Sequence, residues 1–210
     1  MICLSSLADD TSPLVLDTSV LINLHACSFG KQVLSALPND VAVPDIVVRE
    51  LQHETSRTNG EHKFLGGLIA ENKVNVIALD DAGWSLYETL ITTAPSLGDG
   101  EAATIAVAVT SARKPVIDDS KGRKRFEAFD GDKGVAWSLD VLTHPVVQHE
   151  LGGDAAVEAV YLALREGRMR VDEGRCEEVV SLIGVERALK CTSLPGYKAR
   201  RDLWQKSKEG

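Results

Sequence analysis

The sequence predicts an α/β fold in which a mainly parallel sheet is layered between helices. Three observations carry that expectation. Short β-rich apolar runs alternate with stretches of helical spacing from Leu14 to Val141, the pattern that builds parallel sheets through helical crossovers. The segment Ala102–Ala112 is apolar on nearly every side, so as a helix it belongs inside the fold and not on its surface. Beyond residue 150 the strand signals stop and helical patterns continue, which predicts a helical C-terminal extension.

The elements follow in order. Leu14-Val15-Leu16 is the first strand and ends at Asp17. Thr18 or Ser19 is a suitable cap for the helical pattern that runs through Val20, Leu21 and Leu24 to the break at Gly30. Residues 31–37 form a second short helix, and Val41-Ala42-Val43 a second strand. Pro44 suits the first turn of the helix marked by Ile46, Val47 and Leu51. Residues 55–61 are polar and read as a loop, before a helical stripe of Phe64, Leu65, Leu68 and Ile69. Val74–Leu79 is a third strand, Asp80–Thr93 an amphipathic helix bearing Trp84, Leu86, Tyr87 and Leu90, and Pro115-Val116-Ile117 a fourth strand. Lys121–Phe129 is helical, and Ser138–Leu142 is a candidate fifth strand. Helices are expected at Ala155–Glu166 and from Arg175 to about Ile183, with a polar tail carrying Lys198, Arg200, Arg201, Lys206 and Lys208.

Composition narrows the function. The 210 residues carry 44% hydrophobic and 26% charged side chains, ordinary for one folded domain with an appendage. No apolar stretch is long enough to cross a bilayer. Met1–Asp10 lacks a basic segment and turns acidic, so no signal peptide and a cytoplasmic location are expected. Cys3, Cys27, Cys176 and Cys191 are scattered without a C-x-x-C pair, which favours reduced thiols over zinc or disulfides. The net charge of −8 argues against a module that holds nucleic acid by surface charge alone. It does not exclude an enzyme that gathers carboxylates around divalent cations, because bound ions reverse the local field.

Acidic residues in ordered, apolar settings are the most informative feature. Asp17 follows the first strand, Glu50 lies in the helix after the second, Glu101 opens the buried helix, and Asp118-Asp119 follow the fourth strand. Buried carboxylates are costly unless paired or bound to a cation, and ligands of parallel sheets gather beyond the strands' carboxyl ends. Taken singly, each residue has a plainer explanation: Asp17 as a helix cap, Asp99 and Glu101 as partners of a helix dipole, Glu50 as a solvated position. Convergence of the whole set points to a hard-metal site with oxygen ligands.

Four motifs in order, Leu16-Asp17-Thr18-Ser19, Val48-Arg49-Glu50-Leu51, Gly98-Asp99-Gly100-Glu101-Ala102 and Val116-Ile117-Asp118-Asp119, resemble the PIN-domain nucleases, with the VapC-like toxins of toxin–antitoxin pairs the nearest group. Asp118-Asp119-Ser120-Lys121-Gly122-Arg123 is similar to the Asp-Asp-x-x-x-Arg segment of one branch. The resemblance covers Leu14 to Val141. It implies a PIN-like α/β/α sandwich, with a nuclease domain over 13–150 and a helical extension with a basic tail over 151–210. It also implies Mg²⁺- or Mn²⁺-dependent RNA cleavage, with Asp17, Glu50 and Glu101 as ligands and either Asp118 or Asp119 as the fourth acid. Ser19 would orient the first acid and Asp99 would support the set from behind. An antitoxin partner and a homodimer are further expectations of the resemblance. Residues 55–73 and the C-terminal extension depart from the family pattern.

Carboxylates that hold one or two divalent ions at a scissile phosphate make a protein nucleophile unnecessary. His25, His53, His62, His144 and His149 have no metal-ligand spacing. Arg123, and with it Lys121, is placed to grip phosphate beside the fourth acid. Two other readings compete: an inactive PIN-like binding module, and a phosphotransfer enzyme with Asp17 as nucleophile. The latter would want a carboxylate where Ser19 stands. Gly98-x-Gly100 is no dinucleotide fingerprint, because the third glycine is missing.

Overall fold

The computed structural model describes residues 5–94, 96–130 and 134–209. Cys3 and the side chains of Lys206 and Lys208 lie outside that description. Four short strands, β1 (Leu14–Leu16), β2 (Val41–Pro44), β3 (Asn75–Ile77) and β4 (Lys114–Val116), form one sheet in the order β3-β2-β1-β4. Every pairing is parallel, with Leu14 opposite Val41 and Lys114, and Leu16 opposite Val116. The expected parallel α/β architecture is the one observed.

Side-chain alternation along β1 divides the interior. Leu14 and Leu16 enter one core, Val15 the other, as period-2 geometry requires. The first core holds α1 (Thr18–Ala26), α2 (Gly30–Ala36), α5 (Glu61–Ala70) and the C-terminal α11 (Gly153–Arg165) and α12 (Cys176–Ile183). The second holds α6 (Asp81–Thr93) and α7 (Asp99–Thr110). Helices on both faces of the sheet complete an α/β/α sandwich. Residues 102–108 of α7 are all buried, which accounts for the lack of a polar face in that run.

Three expectations change. Residues 54–59 are helix α4, not loop, closed by Gly60 at φ 90°. None of its side chains is buried, so it left no apolar stripe to read. Ser138–Leu142 is helix α9, not a strand. All five of its residues are buried, and a short segment buried all round has no periodicity to separate helix from strand. The Asp140 carboxylate settles the conformation by accepting from the Trp137 N–H at 2.7 Å and the Ser6 N–H at 2.8 Å. Among the described residues the sheet-like contact nearby is a bridge between Val116 and Ala136. Third, the first helix is capped by Asp17 itself, whose side chain accepts from the Ser19 N–H, and not by Thr18 or Ser19.

Arg123, on α8 (Ser120–Asp130), holds the chain beyond β4 in place. Its guanidinium donates to the carbonyls of Ile117 (3.0 Å), Ala136 (2.9 Å) and Val135 (2.8 Å) and lies 3.8 Å over the Trp137 ring. A lysine keeps the charge but cannot span three carbonyls in this fork. Arg123→Lys is expected to cost about 1–3 kcal/mol, read as a lower urea midpoint with an unchanged denaturant slope.

Candidate metal centre at the carboxyl edge of the sheet

The strand order reverses at β1. From β1 the chain builds outward to β2 and β3, then returns to lay β4 on the other side. That switch point opens a crevice beyond the strand ends; Asp17 follows β1 directly and Asp118 stands two residues beyond β4. The Asp17 N–H donates to the Val116 carbonyl at 3.2 Å, so the two strands end at matching levels.

Asp17 is 3% exposed, and its carboxylate accepts from the Ser19 hydroxyl at 2.7 Å. Asp118 is 1% exposed and held by three donors: the Ser138 N–H (2.7 Å), the Ser138 hydroxyl (2.6 Å) and the Asn23 amide (2.7 Å). Glu101 sits in the first turn of α7, where it accepts from the Gly98 N–H at 3.0 Å. Gly122 packs beside it: a Cβ there would press on Ile117 Cγ2 at 3.0 Å and touch Glu101 Oε1 at an ordinary 3.6 Å.

Glu50 is placed differently. It ends α3 (Asp45–Glu50) and is wedged between helix starts, accepting from the Thr18 hydroxyl and from the Gly100 N–H at 2.8 Å. A Cβ on Gly100 would fall 2.3 Å from Glu50 Oε2, so glycine is required for this approach. Glu50 lines a neighbouring groove with Asp99, Tyr87, Trp84 and His53. Asp99 lines that groove beside Tyr87, whose pKa its charge helps to raise.

The cavity of about 270 Å³ at the crevice is lined by Ser19, Asn23, Glu101, Asp118, Asp119 and residues from the loop after α11. Asp119 is half out of it, paired with Arg170 and accepting from the Lys121 N–H. Of the two candidates for the fourth acid, Asp118 is the buried one facing Asp17. Lys121 is exposed, and Arg123 is turned to the backbone carbonyls, so it is not available to grip phosphate. Asn23, Ser138 and Arg170 are not among the site residues expected from the sequence, which marks Thr18 only as a cap and part of a motif. Only Asn23, a polar residue on an otherwise apolar helical stripe, left a signal.

Electrostatics bind the acids into one set. Burial raises the pKa of Asp17, Glu101 and Asp118, the last to about 6. Repulsion adds to burial: the charge of Asp17 raises both Glu101 and Asp118, and that of Glu50 raises Asp17 and Glu101. Arg170 is a cation that opposes the rise at Glu101. The donor set, hard carboxylate oxygens sunk at a crevice with their charges unbalanced, fits a divalent cation. Among the described residues no three acidic, His or Cys side chains already stand as a closed cation cage.

An α/β/α sandwich with mutually repelling carboxylates near the switch point of a parallel sheet is the arrangement that fold and site define. A family model described as a PIN domain matches residues 13–185, and the chain belongs to that family, whose members are in general nucleases. No curated protein and no solved structure matches the chain.

Asp118 also sets a pH dependence. Its acid stands near 3.8 unfolded and about 6 folded, so the folded chain binds more protons between those values. Stability of the cation-free protein therefore falls as pH rises from about 4 to about 6 and stays low above, by on the order of 3 kcal/mol. Thermal unfolding in EDTA should show Asp118→Asn gaining on the wild type over that interval.

Proposed function

We propose that this chain is a divalent-cation-dependent ribonuclease that hydrolyses RNA phosphodiester bonds. The supporting observation is the coupling of Asp17 to both Asp118 and Glu101 at the carboxyl edge of the sheet. Asp17, Glu101 and Asp118 would hold Mg²⁺ or Mn²⁺, which supplies phosphate polarisation and an activated water when bound. Ser19, Asn23 and Ser138 orient the carboxylates, as partners of ligating groups do. Glu50 braces α1 against α7 and adds negative charge from behind. Burial keeps bulk water from screening the acids.

Resemblance of the motifs extends this reading to a toxin of a toxin–antitoxin pair, cytoplasmic and homodimeric, with an antitoxin as protein partner. Among the described residues no helix is long and apolar enough to cross a membrane.

The second reading, an inactive binding module, draws on the same in-chain hydrogen bonds. Every acid of the set has partners already, and no closed cation cage stands among the described residues. Two measurements separate the readings. With labelled RNA and Mn²⁺, wild-type protein should cleave, EDTA should stop it, and Asp17→Asn or Asp118→Asn should lose about 100-fold or more in rate. Millimolar Mn²⁺ should raise the wild-type melting temperature and leave the Asp17→Asn variant unmoved. Cleavage that survives EDTA, or a Mn²⁺ shift absent from the wild type, overturns the metal-dependent reading.

A further inference from the structure

The loop after α11 supplies the cavity's positive charge. Arg168 and Arg170 line the same space as Glu101, Asp118 and Asp119. On a chain of net charge −8, an approaching polyanion meets repulsion at this edge unless cationic groups are fixed beside the acids. Arg123 cannot serve, since three backbone carbonyls occupy it.

The loop is pinned from below. The Met169 N–H donates to the Ala163 carbonyl at 3.0 Å, and the Met169 side chain is 1% exposed. Gly167 presses on the helix that carries Asn23: a Cβ there would lie 2.6 Å from Asn23 Oδ1 and 2.8 Å from the Ala163 carbonyl oxygen. Asn23 is the residue whose amide holds Asp118, so loop and acid share one anchor. The two arginines flank buried Met169 and are both exposed.

Their situations differ in a useful way. Arg170 pairs with Asp119 and its charge opposes the rise of Glu101. Arg168 has no hydrogen-bond or ion-pair partner among the described residues, yet its backbone stands at φ 57°, a left-handed conformation unfavourable for a long side chain. Folding gains nothing visible from an arginine there. A guanidinium offers phosphate oxygens two parallel donors in a fixed plane.

We propose that Arg168 and Arg170 are the phosphate-binding residues of this site, gripping backbone phosphates of single-stranded RNA next to the scissile bond. The inference rests on the nuclease reading and deepens it. Phosphate then exchanges with Asp119 as the partner of Arg170, while Arg168 is available without breaking any contact.

The test is fluorescence anisotropy of a fluorescein-labelled single-stranded RNA, titrated at several salt concentrations with Ca²⁺ in place of Mn²⁺. Arg168→Asn and Arg170→Gln should each weaken binding about tenfold and make the salt dependence shallower by about 0.7 per arginine removed. The Mn²⁺-induced melting shift should persist in both. Arg168→Asn should melt at the wild-type temperature or above, because asparagine accepts the left-handed backbone more readily. Lower affinity at undiminished stability is an outcome that a purely structural arginine would not give. Wild-type binding that is unchanged in affinity and salt slope in both variants overturns the inference alone. A wild type that neither binds nor cleaves RNA overturns the nuclease reading, and this inference with it.

Discussion

The parallel pairing of β1 with β4 is the constraint on which the rest depends. Leu16 lies opposite Val116, and each strand is followed at once by chain that enters the crevice. A shift of one residue in that register would turn Asp17 or Asp118 toward a hydrophobic core. The pairing also costs something. It sets two nearly inaccessible carboxylates within each other's field, with a third on α7. The α/β/α sandwich tolerates this because large apolar cores on both faces of a small sheet fix the strand ends.

The donors around the acids show how that tension is contained. Asp17 takes Ser19, Asp118 takes Ser138 and Asn23, and Glu50 takes Thr18 and the Gly100 N–H. At Asp17 and Asp118 these bonds lower the pKa without restoring it, since burial and mutual repulsion prevail. A set of carboxylates left short of positive charge is what a cation-binding centre needs. A purely structural network would be expected to close its own balance, as Asp140 does with Arg175 and two backbone N–H groups.

Much of the fold was legible because its signals were local. The four strands are short apolar runs ended by Asp, Pro or polar residues, and α7 announced its burial through composition. The acids at strand ends were legible for the same reason. Helix α4 and helix α9 were not, one having no buried face and the other no exposed face, so neither had a period to detect. The role of Arg123 was hidden because it depends on a chain reversal after α8 that brings carbonyls 135 and 136 back beside residue 117. Glu50 was legible as part of the set but not as a brace, since its contacts lie 32 and 50 positions away. The arginines after α11 carry no motif at all and meet the acids only through the packing of α11 on α1.

The triangle formed by Asp118, Ser138 and Asn23 has a consequence for what can neutralise the acid. All three polar hydrogens in it point inward, from the Ser138 amide, the Ser138 hydroxyl and the Asn23 carboxamide. A carboxylic acid bearing its own hydrogen would need an acceptor, and the Ser138 hydroxyl, which already donates to the acid and accepts from Asn23, would have to rotate to become one. A metal ion makes no such demand, because it binds lone pairs and leaves every surrounding hydrogen where it already points.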